Sequence, residues 1–266
     1  MIWDDLDPRY SLILCDIWGC IHDGVALYPG ASDRLIGWRN EGRKLILVTN
    51  APRPVADVEC QLARIGLPRA AWDGIATAGE AGIAALLGLS GPSGFLGTVE
   101  DRSVLEGRGA QIATGDAFTD LACTGLDDFR DRIADYRQDL ERWASLDILM
   151  HCLNPDHMVI FGGVSELCAG ALAEAYETLG GRVAYYGKPH PAIYAHALAL
   201  GGNPTLDRVL AIGDGLHTDV LGAARRGIAC IFVSGGVHAG APFPDDFAAA
   251  HGLGDWAPLG VVASLA

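Results

Sequence analysis

The stretch Leu12-Ile13-Leu14-Cys15-Asp16-Ile17-Trp18-Gly19 sets a carboxylate directly behind an unbroken apolar run. A short run without polar alternation reads as a strand buried on both faces, which is the environment inside a parallel sheet covered by helices. Leu45 to Val48, Val209 to Ile212 and Ile228 to Val233 repeat the pattern. Between the first two, the sequence predicts a helix capped by Ser32 and stopped near Gly42. A second helix opens at Pro54, aligns Val55, Val58, Leu62 and Ile65 on one face, and ends at Gly66. Strand and helix signals alternate, so the expected fold class is α/β with a Rossmann-like parallel-sheet core.

Beyond residue 79 the pattern changes. Glycines are frequent from Gly79 to Gly115, and a charged helix is predicted from about Asp127 to Ala144. Its Phe129, Ile133, Tyr136, Leu140 and Trp143 form an apolar stripe at spacings of three and four, the mark of a core-facing side. Strand signals at Asp147 to Met150 and Met158 to Phe161, then a helix from about Glu166 to Leu179, indicate a second α/β unit inserted into the first. The first sheet is expected to resume before Lys188. These breaks give a core of residues 1–78 and 185–266 and an inserted domain of residues 79–184.

Composition narrows the function. A chain of 266 residues can bury a core without disulfides. Its formal charge of -14, with no basic run, argues against nucleic acid or an anionic membrane as partner, since both need a positive footprint. Small molecules are favoured. The seven cysteines show no paired C-x-x-C spacing and read as reduced, mostly small buried apolar residues. No basic start with a following apolar stretch marks a signal peptide, and no apolar run reaches the roughly 18 residues of a membrane span, so a cytoplasmic location is expected.

In an open parallel sheet, ligands collect beyond the carboxyl ends of the strands. Asp16, the pair Thr49-Asn50, and Asp214 each follow a predicted strand. Phosphoryl transfer needs a nucleophile, charge neutralisation and in-line positioning. Asp16 suits the nucleophile by position. Thr49 can offer its hydroxyl, and the backbone N–H groups of Asn50 and Ala51 can donate to a phosphoryl oxygen. Lys188 is one of only two lysines beside 17 arginines, and suits a compact charge bridging carboxylate and phosphate. Asp214 and Asp219, in Gly213-Asp214-Gly215-Leu216-His217-Thr218-Asp219, offer hard oxygen ligands suited to Mg²⁺.

Together these residues resemble the haloacid dehalogenase superfamily, and within it the class IIA branch of nitrophenylphosphatase-like, sugar and nucleotide phosphatases. Its D-x-D-G motif is met by Asp16, Ile17, Trp18 and Gly19, with Trp18 in place of the second aspartate. Thr49 and Asn50 match the second motif, and Gly187-Lys188-Pro189 the third. Gly213, Asp214, Thr218 and Asp219 match the fourth, and Asn154-Pro155-Asp156 is the branch's cap element. The resemblance implies a C2-type cap over residues 79–184 and a small phosphorylated substrate. It further implies Mg²⁺ held by Asp16, the Trp18 carbonyl and Asp214, with Asp219 as ligand or support. Asn154, Asp156 and His157 become candidate specificity residues of the cap, and association of two copies through their caps is expected.

Trp18 removes the group that protonates the leaving group and activates water, because an indole N–H cannot exchange a proton near neutral pH. Three readings follow. The first is a phosphatase with weakened acid–base catalysis, in which His22 or Asp23 could substitute, although both also suit a surface turn ending at Gly24. The second is a pseudophosphatase that binds a phosphorylated metabolite without hydrolysing it. The third is dehalogenase-like chemistry at Asp16.

Overall fold

The computed structural model describes residues 3, 5–161, 164–236 and 242–266, without the side chains of 160, 161 and 164. The strands are β1 (Leu12–Asp16), β2 (Lys44–Thr49), β3 (Gly74–Thr77), β4 (Gly94–Leu96), β5 (Asp120–Cys123), β6 (Leu149–Cys152), β7 (Met158–Phe161), β8 (Val164–Leu167), β9 (Arg182–Tyr185), β10 (Val209–Gly213), β11 (Ala229–Val233) and β12 (Gly260–Val262). The chain divides into two compact units. One comprises residues 1–49, 56–76 and 188–266, and the other residues 50–55 and 77–187.

The first unit is built on a six-stranded sheet of order β12-β11-β10-β1-β2-β3. β1 runs parallel to both β2 and β10, and every residue of β1 and β10 is buried. That double-sided burial explains why the apolar runs alone reveal these strands. Helix Val55–Ile65 buries Val58 and Leu62, as its periodicity predicts. The preceding helix differs at its start. It spans Ala31–Asn40 and begins after Gly30 in the left-handed conformation with no side-chain cap, so Ser32 lies inside the helix instead of capping it.

The second unit holds a parallel four-stranded sheet of order β4-β5-β6-β9 and an antiparallel hairpin of β7 and β8. Leu121, Cys123, Met150 and Cys152 pack on one side with Tyr136, Leu140, Trp143, Leu172 and Tyr176. Ala122 packs on the other side with Ile83, Leu86 and Leu105 from helices Ala78–Leu87 and Val99–Gly107.

Four local expectations are corrected in this unit. The predicted helix from Asp127 is only a 3₁₀ turn at Ile133–Tyr136 followed by helix Arg137–Ser145. Asp127 Oδ1 accepts the N–H groups of Phe129 and Arg130, a local turn that competes with helix formation, and Phe129 is 88% exposed instead of core. The strand foreseen from Asp147 begins at Leu149, because Asp147 has φ of 54°. Glu166 lies in β8, and the helix after it is Ala169–Thr178. The strand before Lys188 is β9, which pairs with β6 in this second sheet and not with the first.

Candidate active site

β1 and its neighbours set the site. Asp16 closes β1 opposite Val48 of β2, and Cys15 pairs with Ile212 of β10. The register therefore delivers Asp16, Thr49 and Asp214 to the same carboxyl edge of adjacent parallel strands. Lys188 joins them. Its Nζ donates to Asp16 Oδ1 at 2.5 Å, to Asp219 Oδ1 at 2.9 Å and to the Val48 carbonyl at 3.3 Å. All three ammonium protons thus have acceptors, and Asp16, Lys188 and Asp219 are all buried.

Asp219 has both oxygens engaged, since Thr218 Oγ1 donates to its Oδ2 at 3.1 Å. The hydroxyl of Tyr194, on helix Pro191–Gly201, donates to the Asp219 carbonyl at 3.3 Å. Asp219 therefore aims Lys188, and it is absent from the one cluster able to hold a metal among the described residues. That cluster is Asp16, Cys20 and Asp214, whose ligand atoms lie within 4.8 Å of one another. Sequence reasoning missed Cys20 by grouping it with the buried apolar cysteines. No sequence signal separates it from them, because only the folded positions of Asp16 and Asp214 show what its sulfur lies near.

Two features of the structure suit a divalent cation there. A Cβ at Gly19 or at Gly236 would collide with the Asp214 carboxylate, so only glycines allow it to sit where it does. Asp16, Asp214 and Asp219 are three buried carboxyls beside the buried ammonium of Lys188, an excess of two negative charges once all three are ionised. The electrostatics agree. Burial pushes the Asp16 carboxyl up to about 7, with Lys188 opposing and Asp214 reinforcing the rise. Asp219 is likewise pushed up to about 7 by burial and by Asp16, against Lys188. Burial works against the Lys188 ammonium, but Asp16 and Asp219 outweigh it and keep its pKa well above the ordinary value. Burial, then Asp214 and Asp16, hold the Cys20 thiol protonated.

Thr49 ends β2 and is buried, as is Asn50. Within the second unit, Asn50 Nδ2 donates to Asp156 Oδ1 at 2.8 Å, and Asn154 Oδ1 accepts the Asp156 N–H at 3.1 Å. Asn154 thus shapes a turn whose aspartate holds the residue after Thr49. His157 is exposed, with Nδ1 3.7 Å from Glu174.

Trp18 is half-buried and meets the His22 ring edge-on at 5.2 Å. Burial pushes His22 down to about 4, and its Nδ1 accepts the Gly24 N–H at 2.9 Å, so the imidazole is neutral with its basic nitrogen occupied. Asp23 is exposed, and its Oδ1 accepts the N–H groups of Val25 and Ala26. Both side chains thus serve the turn around Gly24.

Comparison with known proteins gives consistent matches. Residues 13–111 match the haloacid dehalogenase-like hydrolase family, and residues 185–255 match a HAD-hydrolase-like family. A haloacid dehalogenase-like hydrolase from Brucella suis 1330 is 34% identical, covers 99% of this chain and 98% of its own, and superposes with a TM-score of 0.86. The ribonucleotide monophosphatase NagD of Escherichia coli K12 is 28% identical over 85% of this chain and 88% of its own length. The fold is shared with 4-nitrophenylphosphatase from Thermotoga maritima, at 20% identity and a TM-score of 0.74 over 97% of this chain and 95% of that one. Among the described residues, no helix is long and apolar enough to cross a membrane.

Proposed function

Because the chain belongs to the haloacid dehalogenase-like hydrolases, we propose that it is a Mg²⁺-dependent phosphatase of a small phosphorylated metabolite, working through an aspartyl phosphate on Asp16. The observation that carries this reading is the Asp16 carboxylate at the tip of β1, 2.5 Å from the Lys188 ammonium and within 4.8 Å of the Asp214 ligand atom. NagD acts by name on ribonucleotide monophosphates, and the Thermotoga maritima protein on 4-nitrophenyl phosphate. A phosphate monoester is the substrate class that suits this site.

Asp16 attacks phosphorus in line, forming a carboxylate–phosphorus bond as the ester oxygen leaves with the bonding pair. Lys188 offsets the charge gathered on the phosphoryl oxygens, while Thr49 and the Asn50 N–H group donate to them. Asp219 keeps Lys188 aimed. Asp16 and Asp214, with the Trp18 carbonyl, would hold Mg²⁺, which when bound supplies further neutralisation of the phosphoryl oxygens. Asn154 and Asp156 serve by fixing Asn50, and His157 remains a candidate for selecting the leaving group.

Trp18 bears on both steps: the departing ester oxygen takes its proton from solvent, since no acid stands at this position. Water must cleave the aspartyl phosphate, returning Asp16 and releasing inorganic phosphate, and Trp18 offers that water no base. The intermediate therefore outlives that of an enzyme with a carboxylate at this position. Release of phosphate from a panel of phosphate monoesters with Mg²⁺ tests the proposal. Release unchanged in Asp16→Asn would refute it, and tight metabolite binding without release would favour the pseudophosphatase reading instead.

A further inference from the structure

We propose that Cys20 is a further protein ligand of the cation centre, beside Asp16, Asp214 and the Trp18 carbonyl, giving it a soft face that favours a thiophilic divalent ion of the Zn²⁺ class over Mg²⁺. The inference rests on the reading of Asp16 and Asp214 as cation ligands. Its own observations are separate. The Cys20 side chain is 1% exposed, and among the described residues its sulfur makes no hydrogen bond, yet it lies within 4.8 Å of a ligand oxygen of each aspartate. Two atoms bound to one ion, at roughly 2.3 Å for sulfur and 2.0–2.2 Å for oxygen, cannot be more than about 4.5 Å apart. The 4.8 Å bound on the cluster lies just above that ceiling, so a shared ion would draw the three ligand atoms closer together.

The local chain supports the same geometry. Gly19, the residue before Cys20, has φ of 84°, and a Cβ there would collide with the Asp214 carboxylate, so this turn passes directly against that group. When the ion binds, a sulfur–metal bond forms and the thiol proton passes to solvent. Thiolate donors select Zn²⁺-class ions, whereas Mg²⁺ prefers oxygen alone. The centre therefore takes Mg²⁺ where that ion is abundant and yields to traces of a softer one.

The test uses Co²⁺ as an optical probe on the intact chain. Wild type is expected to bind one Co²⁺ with a thiolate-to-metal charge-transfer band in the near ultraviolet, removed by excess Mg²⁺. Cys20→Ser should lose the band and weaken Co²⁺ by at least the ~10-fold that loss of even an outer ligand partner costs, with Mg²⁺ affinity changed less. Cys60→Ser, which alters the exposed cysteine, should retain the band. Cys20→Ala provides a second variant should the serine disturb folding. Co²⁺ bound in competition with Mg²⁺ but without the band would overturn the thiol's role alone. Failure of both ions to bind would overturn the cation centre itself, and the ligand with it.

Discussion

Titrating Mg²⁺ into the metal-free protein at pH 5 and at pH 8 probes the buried charges at the tip of β1. Asp16 and Asp219 flank the Lys188 Nζ at 2.5 Å and 2.9 Å, and burial raises both carboxyls to about 7. They titrate as a pair, so the relevant proton belongs to the cluster. The sign follows from the direction of the shift. A folded-state pKa above the ordinary value favours the protonated form, so this stabilisation is complete below about 4 and is lost as pH rises through about 7. Metal binding has the opposite demand, because the ion needs the carboxylate. With one proton competing at a pKa near 7, apparent affinity should fall roughly 90-fold from pH 8 to pH 5, or about 2.7 kcal/mol. Calorimetric titration gives the dissociation constants, and the rise in melting temperature with Mg²⁺ should be larger at pH 8. Affinity that stays constant down to pH 5 would show that no site proton competes with the ion, and the charge argument would fail.

Other outcomes follow from the same structure. Trp18→Asp should shorten the lifetime of the aspartyl phosphate by about 10²–10⁴-fold, read by acid quench with a labelled aryl phosphate; equal lifetimes would refute the role given to Trp18. Lys188→Met should remove phosphate release and cost about 3–5 kcal/mol by denaturant unfolding of the metal-free protein at pH 8, with a smaller loss at pH 5 where protons replace the ammonium. Gly236→Ala should weaken Mg²⁺ by calorimetry, since the added methyl collides with the Asp214 carboxylate. Phe129→Ala should change stability by under about 0.5 kcal/mol, whereas Leu140→Ala should cost about 2–5 kcal/mol.

The legible part of the fold was the part buried on both faces. β1, β2, β10 and β11 are near-continuous apolar runs, and the polar residues behind three of them gave Asp16, Thr49 and Asp214. β4 and β5 are only three and four residues long, among glycines, and offered no comparable signal. The stripe from Phe129 to Trp143 had helical spacing, yet Asp127 turned its first part into a loop by satisfying the backbone locally. Spacing reports which residues could share a face, not whether a side chain competes for the backbone. Cys20 was invisible for a related reason. Burial alone makes a cysteine look apolar, and only the positions of Asp16 and Asp214 reveal what its sulfur faces. The Asn50–Asp156 hydrogen bond joins residues 106 apart in sequence, beyond anything local pattern can encode.

The strand order has a bearing on how the chain is made. β1 sits between β2 and β10, and β10 begins at residue 209, so the central pairing of the first sheet waits until most of the polypeptide has emerged from the ribosome. Residues 77–187 are contiguous and carry their own sheet and apolar clusters, so they can reach their native form during translation while β1 and β2 still lack a partner on one edge. The nucleophile is synthesised early, but it meets its ammonium and its second carboxylate only when the last third of the chain arrives, so the Asp16–Lys188–Asp219 contacts belong to a nearly complete molecule.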